Sequence, residues 1–251
     1  MNKIYTDLLV ITLGLIIGSF LNVCIYRIPK GKSVIFGRSY CMNCGHQIRW
    51  YELIPVLSYL FLGGKCSNCK QKLSLQYPLV ELLNGAAYLW IYYIYGLSYE
   101  TLLYSFFVSA LIIISFIDWK IMIIPDSANI FIFTLGLVNL MLNRTDWLNY
   151  VIGLFAVSSF LVLIAILTKG QMGGGDIKLM AASGLLLGWK IILLAFILGV
   201  FIAAIISIII LIVRKGKSLV PFGPYLSIGL FVSILYGDRI INWYINKFIL
   251  I

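Results

Sequence analysis

Charged side chains are scarce in this sequence, because only 11% of its 251 residues are Asp, Glu, Lys or Arg while 62% are hydrophobic. Histidine occurs once, and nine acids stand against 19 lysines and arginines. A soluble domain of this size needs polar residues to cover its surface, and a mean hydropathy of +1.02 leaves too few of them. The composition therefore excludes an ordinary soluble fold and indicates an integral membrane protein.

The first apolar run, Leu8 to Tyr26, lacks the marks of a cleaved signal peptide. One basic residue, Lys3, precedes the run, no small-residue cleavage site is visible, and basic residues follow it at once. We therefore expect residues 1–26 to form a retained transmembrane helix.

Eight apolar segments follow one another along the chain, and several approach the ~20 residues needed to cross a hydrocarbon core of ~30 Å. This pattern predicts an all-α polytopic bundle of about eight transmembrane helices in the lipid bilayer. The segments cover residues 7–26, 78–95, 100–117, 127–142, 148–168, 177–189, 191–213 and 223–241.

The basic residues are distributed unevenly between the two ends of these segments. With the N-terminus outside, five of the 19 fall on the outer side, which leaves 14 on the inner side. By the positive-inside rule, this places the polar stretch 27–77 in the cytoplasm. The net charge of +10 is thereby explained by topology, and we expect no nucleic-acid partner. The outer residues are Lys3, Arg144, Lys190, Arg239 and Lys247.

The segment 177–189 is short for a membrane span, with about 20 Å of helix at 1.5 Å per residue. Counting it as a span keeps Arg214, Lys215 and Lys217 on the inner side. The glycine-rich turn before it must then lie below the membrane surface. Non-helical backbone is tolerated at that depth where it lines a wet cavity or is buried in protein, so the turn points to a site.

Four cysteines form two CxxC pairs, Cys41 with Cys44 and Cys66 with Cys69, separated by 21 residues. This spacing is typical of a tetrahedral zinc site, and cytosolic thiols stay reduced. Four thiolates leave no open position for a catalytic water, so we expect a structural zinc that staples residues 27–77 into a small module. Redox chemistry and a metal-free module are the alternatives. His46 is either a hydrogen-bonding neighbour of the metal ligands or simply exposed.

Three acids lie at the predicted cytoplasmic ends of the helices: Asp118, Asp126 and Asp176. Asp126 follows a proline at a helix start, where its carboxylate can cap free N–H groups, and Asp176 can do the same for the next short helix. Asp118 has Lys120 as a possible surface partner. Three consecutive glycines before Asp176 exceed what a cap requires, and they permit close approach of a peptide backbone.

Two carboxylates at the same end of neighbouring helices can share one proton and activate water, as in aspartic proteases. Intramembrane acids also mark the pathway of proton-coupled transporters. The residues by themselves leave both functions open.

Motifs along nearly the whole chain, in their order, resemble those of the type IV prepilin peptidases. The paired cysteines belong to this pattern, and Gly173-Gly174-Gly175-Asp176 satisfies the G-x-G-D motif of that family. The remaining motifs are Gly18-Ser19-Phe20-Leu21-Asn22-Val23, Tyr26-Arg27-Ile28-Pro29, Trp50-Tyr51-Glu52 with Ile54-Pro55, Tyr77-Pro78-Leu79-Val80-Glu81-Leu82, Asp118, Pro125-Asp126 and Ile177-Lys178-Leu179.

The resemblance implies a membrane aspartic endopeptidase that removes the basic leader of prepilins and pseudopilins after a glycine, at the cytoplasmic face of the bacterial inner membrane. By position, Asp118 and Asp176 would be the catalytic pair. Asp126 matches a recurrent family aspartate that is not catalytic, and with Lys178 and Gly173–Gly175 it would support the catalytic loop.

Family members with the cysteine module also methylate the new N-terminus from S-adenosylmethionine. Glu52 and Glu81 are candidate acids for contacts with the amine or with this methyl donor, although Glu81 can instead pair with a lysine. The implied division of the chain is a first helix (1–26), the cysteine module (27–77) and a transmembrane peptidase core (78–251). A module that only docks a pilus-assembly partner is a further alternative.

Overall fold

The computed structural model describes residues 3–169, 172–214 and 220–248, and most of this part of the chain is helical, with irregular structure and turns around the cysteine pairs. Within these ranges there is no strand, only two isolated antiparallel bridges, Tyr40 with Gln47 and Lys65 with Lys72. The predicted inner-side residues Lys215 and Lys217 lie outside the described residues. The α-helices are α1 (Lys3–Arg27), α2 (Leu57–Phe61), α3 (Gln76–Tyr95), α4 (Tyr99–Ile121), α5 (Asp126–Leu142), α6 (Trp147–Ala156), α7 (Ser158–Leu167), α8 (Gly174–Leu187), α9 (Trp189–Arg214) and α10 (Gly223–Phe248).

Every predicted apolar segment contains a helix, and the fifth segment is divided at Val157 into α6 and α7. In the described residues, five helical stretches are long and apolar enough to cross a membrane, and α5 is a shorter apolar helix. These helices make the chain a multi-pass membrane protein, while eight crossings stay a prediction. The five stretches are Lys3–Lys30, Tyr99–Ile121, Arg144–Leu167, Trp189–Val213 and Gly223–Phe248.

The chain forms two compact units, Met1–Ile113 and Ile114–Ile251. In the first unit, α1 packs along α3, and a Cβ atom on Gly18 would lie 2.7 Å from the Cα atom of Glu81. The Asn84 side chain donates to the carbonyl of Gly14 at 2.7 Å and accepts from the Ser109 hydroxyl at 2.9 Å. Small residues and interhelical hydrogen bonds drive such packing in membranes, where apolar burial gives little advantage.

The connection between the two cysteine pairs contains a 3₁₀ turn, Trp50–Leu53, and the short helix α2. The apolar side chains of this connection in the sequence, such as Trp50 and Phe61, predict a hairpin packed against the metal site or the bilayer surface. The structure has helical turns there instead, and Trp50 and Phe61 are 80% and 87% exposed.

In the second unit, α8 packs against α5, α6, α7 and α9, and α9 packs on α10. Side-chain amides connect α5 to α8: Asn139 donates to the carbonyl of Leu186 at 2.8 Å, and Asn129 to that of Gly175 at 3.4 Å. These contacts explain how a helix of 14 residues is held in place, because tertiary packing rather than length stabilises it. They also fix the N-terminal end of α8, where Asp176 lies.

Candidate active site and metal centre

Asp118 lies in the last turn of α4, which extends four residues past the predicted end at residue 117. The side chain is only 5% exposed, and its Oδ2 atom accepts a hydrogen bond from the backbone N–H of Gly223 at 2.8 Å. Gly223 begins α10, and the first N–H groups of a helix lack partners within it. A carboxylate bound there is favoured in its ionised form by the helix dipole. The alternative of an exposed surface acid is therefore wrong, since Asp118 is buried whereas Lys120 is exposed.

Asp176 is the third residue of α8, and its N–H donates to the carbonyl of Gly173 at 3.2 Å. The expected capping role is wrong, because no side chain caps α8. The Oδ1 atom of Asp176 is buried and has no hydrogen-bond partner within the described ranges. The carboxylate of Asp118 lies near enough to act on Asp176 electrostatically. The second unit thus brings together the two acids that the sequence predicted as a pair.

Asp126 pairs with Lys178, whose Nζ atom lies 2.7 Å from the Oδ1 atom of Asp126. The capping interpretation of Asp126 is wrong, because Pro125 occupies the N-cap position of α5 and no side chain bonds to the free N–H groups. Both partners are more than half exposed, and such surface ion pairs contribute about 0–1 kcal/mol. The pair connects the starts of α5 and α8 close to Asp176.

The glycines before Asp176 form part of α8 rather than a turn that precedes it, since the helix begins at Gly174. A Cβ atom on Gly175 would lie 2.8 Å from the Cβ atom of Ile124, so this position has no room for a side chain. Gly173 has an extended backbone and, like Gly174, is exposed. The start of α8 therefore combines a packed glycine with accessible backbone.

The four cysteine sulfurs lie within 4.8 Å of one another and can together hold a metal ion. The Sγ atoms of Cys41 and Cys69 are 3.8 Å apart. Four thiolates around zinc at about 2.3 Å require sulfur separations of about 3.8 Å, so the donor set fits a tetrahedral zinc ion.

The two CxxC turns have the same backbone geometry. Cys41 donates to the carbonyl of His46 at 2.8 Å, and Cys66 to that of Gln71 at 2.9 Å. The residue after each second cysteine has a positive φ, 70° at Gly45 and 58° at Lys70. His46 thus contributes its backbone carbonyl, while its ring lies 3.9 Å from the Glu52 carboxylate.

Two asparagines that the sequence reasoning missed support the cluster. Asn43 donates to the sulfur of Cys69 at 3.7 Å, and Asn68 to that of Cys44 at 3.8 Å, so each amide reaches the opposite pair. The repeated C-x-N-C pattern was the available signal. Hydrogen bonds from the backbone N–H of Gln71 and from Asn43 lower the pKa of Cys69 to about 6, which favours a thiolate.

The two glutamates singled out in the sequence both line a cavity of about 850 Å³ within the first unit. Glu81 is 7% exposed and accepts from the backbone N–H of Val56 at 2.7 Å, so the expected lysine partner is wrong. Glu52 accepts from the N–H of Arg49 at 2.7 Å. A hydrogen bond from Ser67, together with that from Arg49, lowers the pKa of the Glu52 carboxyl below its usual value.

Comparison with known proteins gives consistent matches over both units. The model of the bacterial peptidase A24 N-terminal domain matches residues 12–95, and that of the type IV leader peptidase family matches residues 105–208. A prepilin leader peptidase/N-methyltransferase of Bacillus subtilis is 36% identical over 236 residues, covering 93% of this chain and 95% of the relative. A protein of the same name from Pseudomonas aeruginosa is 34% identical over 267 residues, covering 94% and 92%. No solved structure matches the chain significantly.

Proposed function

Because the chain belongs to the type IV leader peptidase family, we propose that Asp118 and Asp176 are the catalytic pair of a membrane-embedded aspartic endopeptidase. The enzyme processes prepilins and combines peptidase with N-methyltransferase activity. The comparisons give no support to a proton-coupled transporter. The main support for this assignment is the hydrogen bond from the start of α10 to Asp118. It places the Asp118 carboxylate where its charge acts on Asp176.

The two acids have different surroundings, and this difference suggests a role for each. The N–H of Gly223 stabilises negative charge on Asp118, whereas the buried Oδ1 of Asp176 has no donor among the described residues. Two adjacent carboxyls share one proton, so Asp176 carries it and Asp118 is the base.

In the proposed mechanism, Asp118 takes a proton from water as the water oxygen bonds to the scissile carbonyl carbon. Asp176 donates its proton to the amide nitrogen, the C–N bond breaks, and the amine of the mature pilin leaves. No covalent intermediate is formed.

The substrate is proposed to enter as an extended segment after its basic leader and before its apolar helix. The exposed backbone at Gly173 and Gly174 offers hydrogen bonds to such a segment beside Asp176. The ion pair of Asp126 and Lys178 holds the starts of α5 and α8 together around this entry. Cleavage after a glycine at the cytoplasmic face follows from the family resemblance and from the uneven distribution of basic residues.

The proposed topology has eight transmembrane helices in the inner membrane with the N-terminus outside. Residues 1–26 form the first helix, 27–77 the cytoplasmic cysteine module and 78–251 the peptidase core. The sulfur spacing supports a structural zinc held by Cys41, Cys44, Cys66 and Cys69. S-adenosylmethionine is the proposed donor for the methylation.

Co-expression with a prepilin, followed by mass spectrometry of the pilin N-terminus, tests the catalytic pair. Wild type is expected to give pilin that lacks the leader and carries one added methyl group. Asp118→Asn and Asp176→Asn are each expected to leave the pilin uncut. Asp146→Asn, on an exposed turn, is the matched control and should cleave normally. Cleavage by either of the first two variants would refute the assignment.

A further inference from the structure

The cavity of about 850 Å³ in the first unit is not used by the proposed peptidase mechanism. Its walls come from α1, the cysteine module and α3, and its volume falls within the roughly 300–1,000 Å³ typical of small-molecule sites. Cys41 and Cys66, both buried, form part of one wall, so the metal cluster and the cavity share residues. Buried polar groups also reach it, namely the amide of Asn22 and the carboxylate of Glu81.

Glu81 is the most informative group in this wall. Its carboxylate accepts from the N–H of Val56 and from the Ser19 hydroxyl, but no ion pair with Glu81 occurs in the part of the chain that the structure describes. A carboxylate withdrawn from water is costly to keep ionised unless a cation lies nearby. Four basic side chains also line the cavity, and none of them forms an ion pair with Glu81 in the described ranges: Arg27, Lys32, Arg38 and Lys72. The wall at Glu81 therefore favours a positive centre on the ligand, while the basic side chains suit an anionic group elsewhere on the same ligand.

Val56, which donates to Glu81, has φ 61° and ψ −50°, an unfavourable conformation for a β-branched residue. Strained backbone of this kind persists where surrounding contacts enforce it, and it is concentrated at functional sites. The hydrogen bond from Val56 to Glu81 is one such contact, and it fixes the carboxylate at the cavity wall.

We propose that this cavity is the methyl-transfer site and that Glu81 faces the sulfonium of S-adenosylmethionine. The proposal deepens the proposed function, since it rests on the N-methyltransferase activity named there. S-adenosylmethionine supplies a methyl group on a positively charged sulfur, and transfer to the pilin amine leaves a neutral thioether and releases one proton to water. Glu81 thus attracts the donor and not the spent product, S-adenosylhomocysteine.

Binding measurements on the full-length protein in lipid nanodiscs test this selectivity. The affinities of S-adenosylmethionine and of S-adenosylhomocysteine are measured by calorimetry for wild type and Glu81→Gln. Glutamine keeps an acceptor for Val56 and removes the charge. We expect the substitution to weaken S-adenosylmethionine binding about tenfold, the equivalent of one charge-assisted contact, and to change S-adenosylhomocysteine binding less than about twofold.

Two further variants separate charge from structure. Glu100→Gln, in the first turn of α4 and outside the cavity lining, should keep the wild-type ratio of the two affinities. Asp7→Asn, on α1 and also outside the cavity lining, removes another carboxylate of the first unit and should keep that ratio as well. Zinc content and melting temperature report on folding in every variant.

An unchanged ratio of the two affinities in folded Glu81→Gln overturns the proposal. Unchanged S-adenosylmethionine binding with a raised KM for cleaved pilin also overturns it, because the carboxylate would then face the pilin ammonium. If wild type binds neither compound, both this site and the methyltransferase assignment fail. Leader cleavage is measured in a separate assay, which tests the proposed catalytic role of Asp118 and Asp176 independently of methyl transfer.

Discussion

The cysteine cluster and the aspartate pair are assembled by different means. Each pair of cysteines lies in one tight turn, and hydrogen bonds within that turn, such as that from Cys41 to His46, set the positions of the sulfurs. Asp118 and Asp176 come from different helices, and the donor to Asp118 is Gly223, which lies 105 positions further along the chain. The candidate metal centre is therefore built from local turns of the sequence, whereas the candidate active site depends on the packing of whole helices.

This difference predicts which changes each region tolerates. The cysteine module has almost no apolar interior, because Cys41 and Cys66 are the only buried hydrophobic side chains between residues 28 and 75. We therefore propose that a bound metal supplies most of the folding free energy of this module. The aspartate pair is held by packed helices. We therefore expect the cleavage activity to fall when a substitution displaces either carboxylate by a fraction of an ångström.

The largest expected effect comes from removing the metal ligands. Cys41→Ser with Cys69→Ser should abolish binding of the single zinc expected per chain and unfold the module, since a structural zinc contributes roughly 10–16 kcal/mol of folding free energy in zinc-finger peptides. Metal analysis and limited proteolysis within residues 28–75 measure the result. Cys24→Ser, at a buried cysteine outside the cluster, is the control and should keep its zinc. Full occupancy in the double variant would refute the four-thiolate site.

An intermediate effect is expected at the start of α10. A Cβ atom on Gly223 would lie 2.8 Å from the Oδ2 atom of Asp118, so Gly223→Ala must displace the carboxylate. Misplacement of a catalytic group by about 1 Å can reduce the rate about 100-fold, and we expect that loss in leader cleavage. The assay is the initial rate with a prepilin substrate.

Ile228→Ala, on the same helix with a side chain 46% exposed, is the control for that experiment and should cleave at nearly the wild-type rate. Zinc content should be normal in both variants. Wild-type cleavage by Gly223→Ala would show that the contact with Asp118 does not position the acid.

The smallest effect is expected from Lys70→Gly, which makes one cysteine turn match the other at the residue after its second cysteine. Lys70 has the positive φ that Gly45 adopts at the equivalent position, and a non-glycine residue there costs about 1–2 kcal/mol. Because glycine also loses more entropy on folding, Lys70→Gly should stabilise the module by about 0.5 kcal/mol. Competition with a chelator measures the gain as tighter zinc retention. Lys72→Gly, without a positive φ to relieve, should show no gain.

Much of the helical organisation was predictable, since long apolar runs leave little choice but membrane helices. The predicted start of the third apolar segment, residue 100, lies one residue from Tyr99, where α4 begins. Helix ends were predicted less well. The helix α4 continues to Ile121, and α8 already begins at Gly174, because contacts such as that of Gly175 with Ile124 are invisible in the linear pattern.

The side-chain partners were predicted least well. Capping was a sound expectation for an aspartate after a proline, yet Asp126 bonds to Lys178, which lies 52 positions further along the chain. A lysine was one expected partner for Glu81, but the backbone of Val56 takes that place. In both cases the partner comes from a distant element, so local sequence rules do not identify it.

The sequence by itself determined the membrane class, the order of the helices and the four cysteines that can hold a metal ion. These follow from apolar content and from the spacing of cysteines within single turns, which are short-range properties of the chain. Only the tertiary structure decided that Asp118 is buried against the start of α10 and that an oxygen of Asp176 has no partner among the described residues. It also decided that Glu81 lines a cavity without forming an ion pair in the described part of the chain. Helix packing sets these features, because burial and charge neutralisation depend on which distant residues meet.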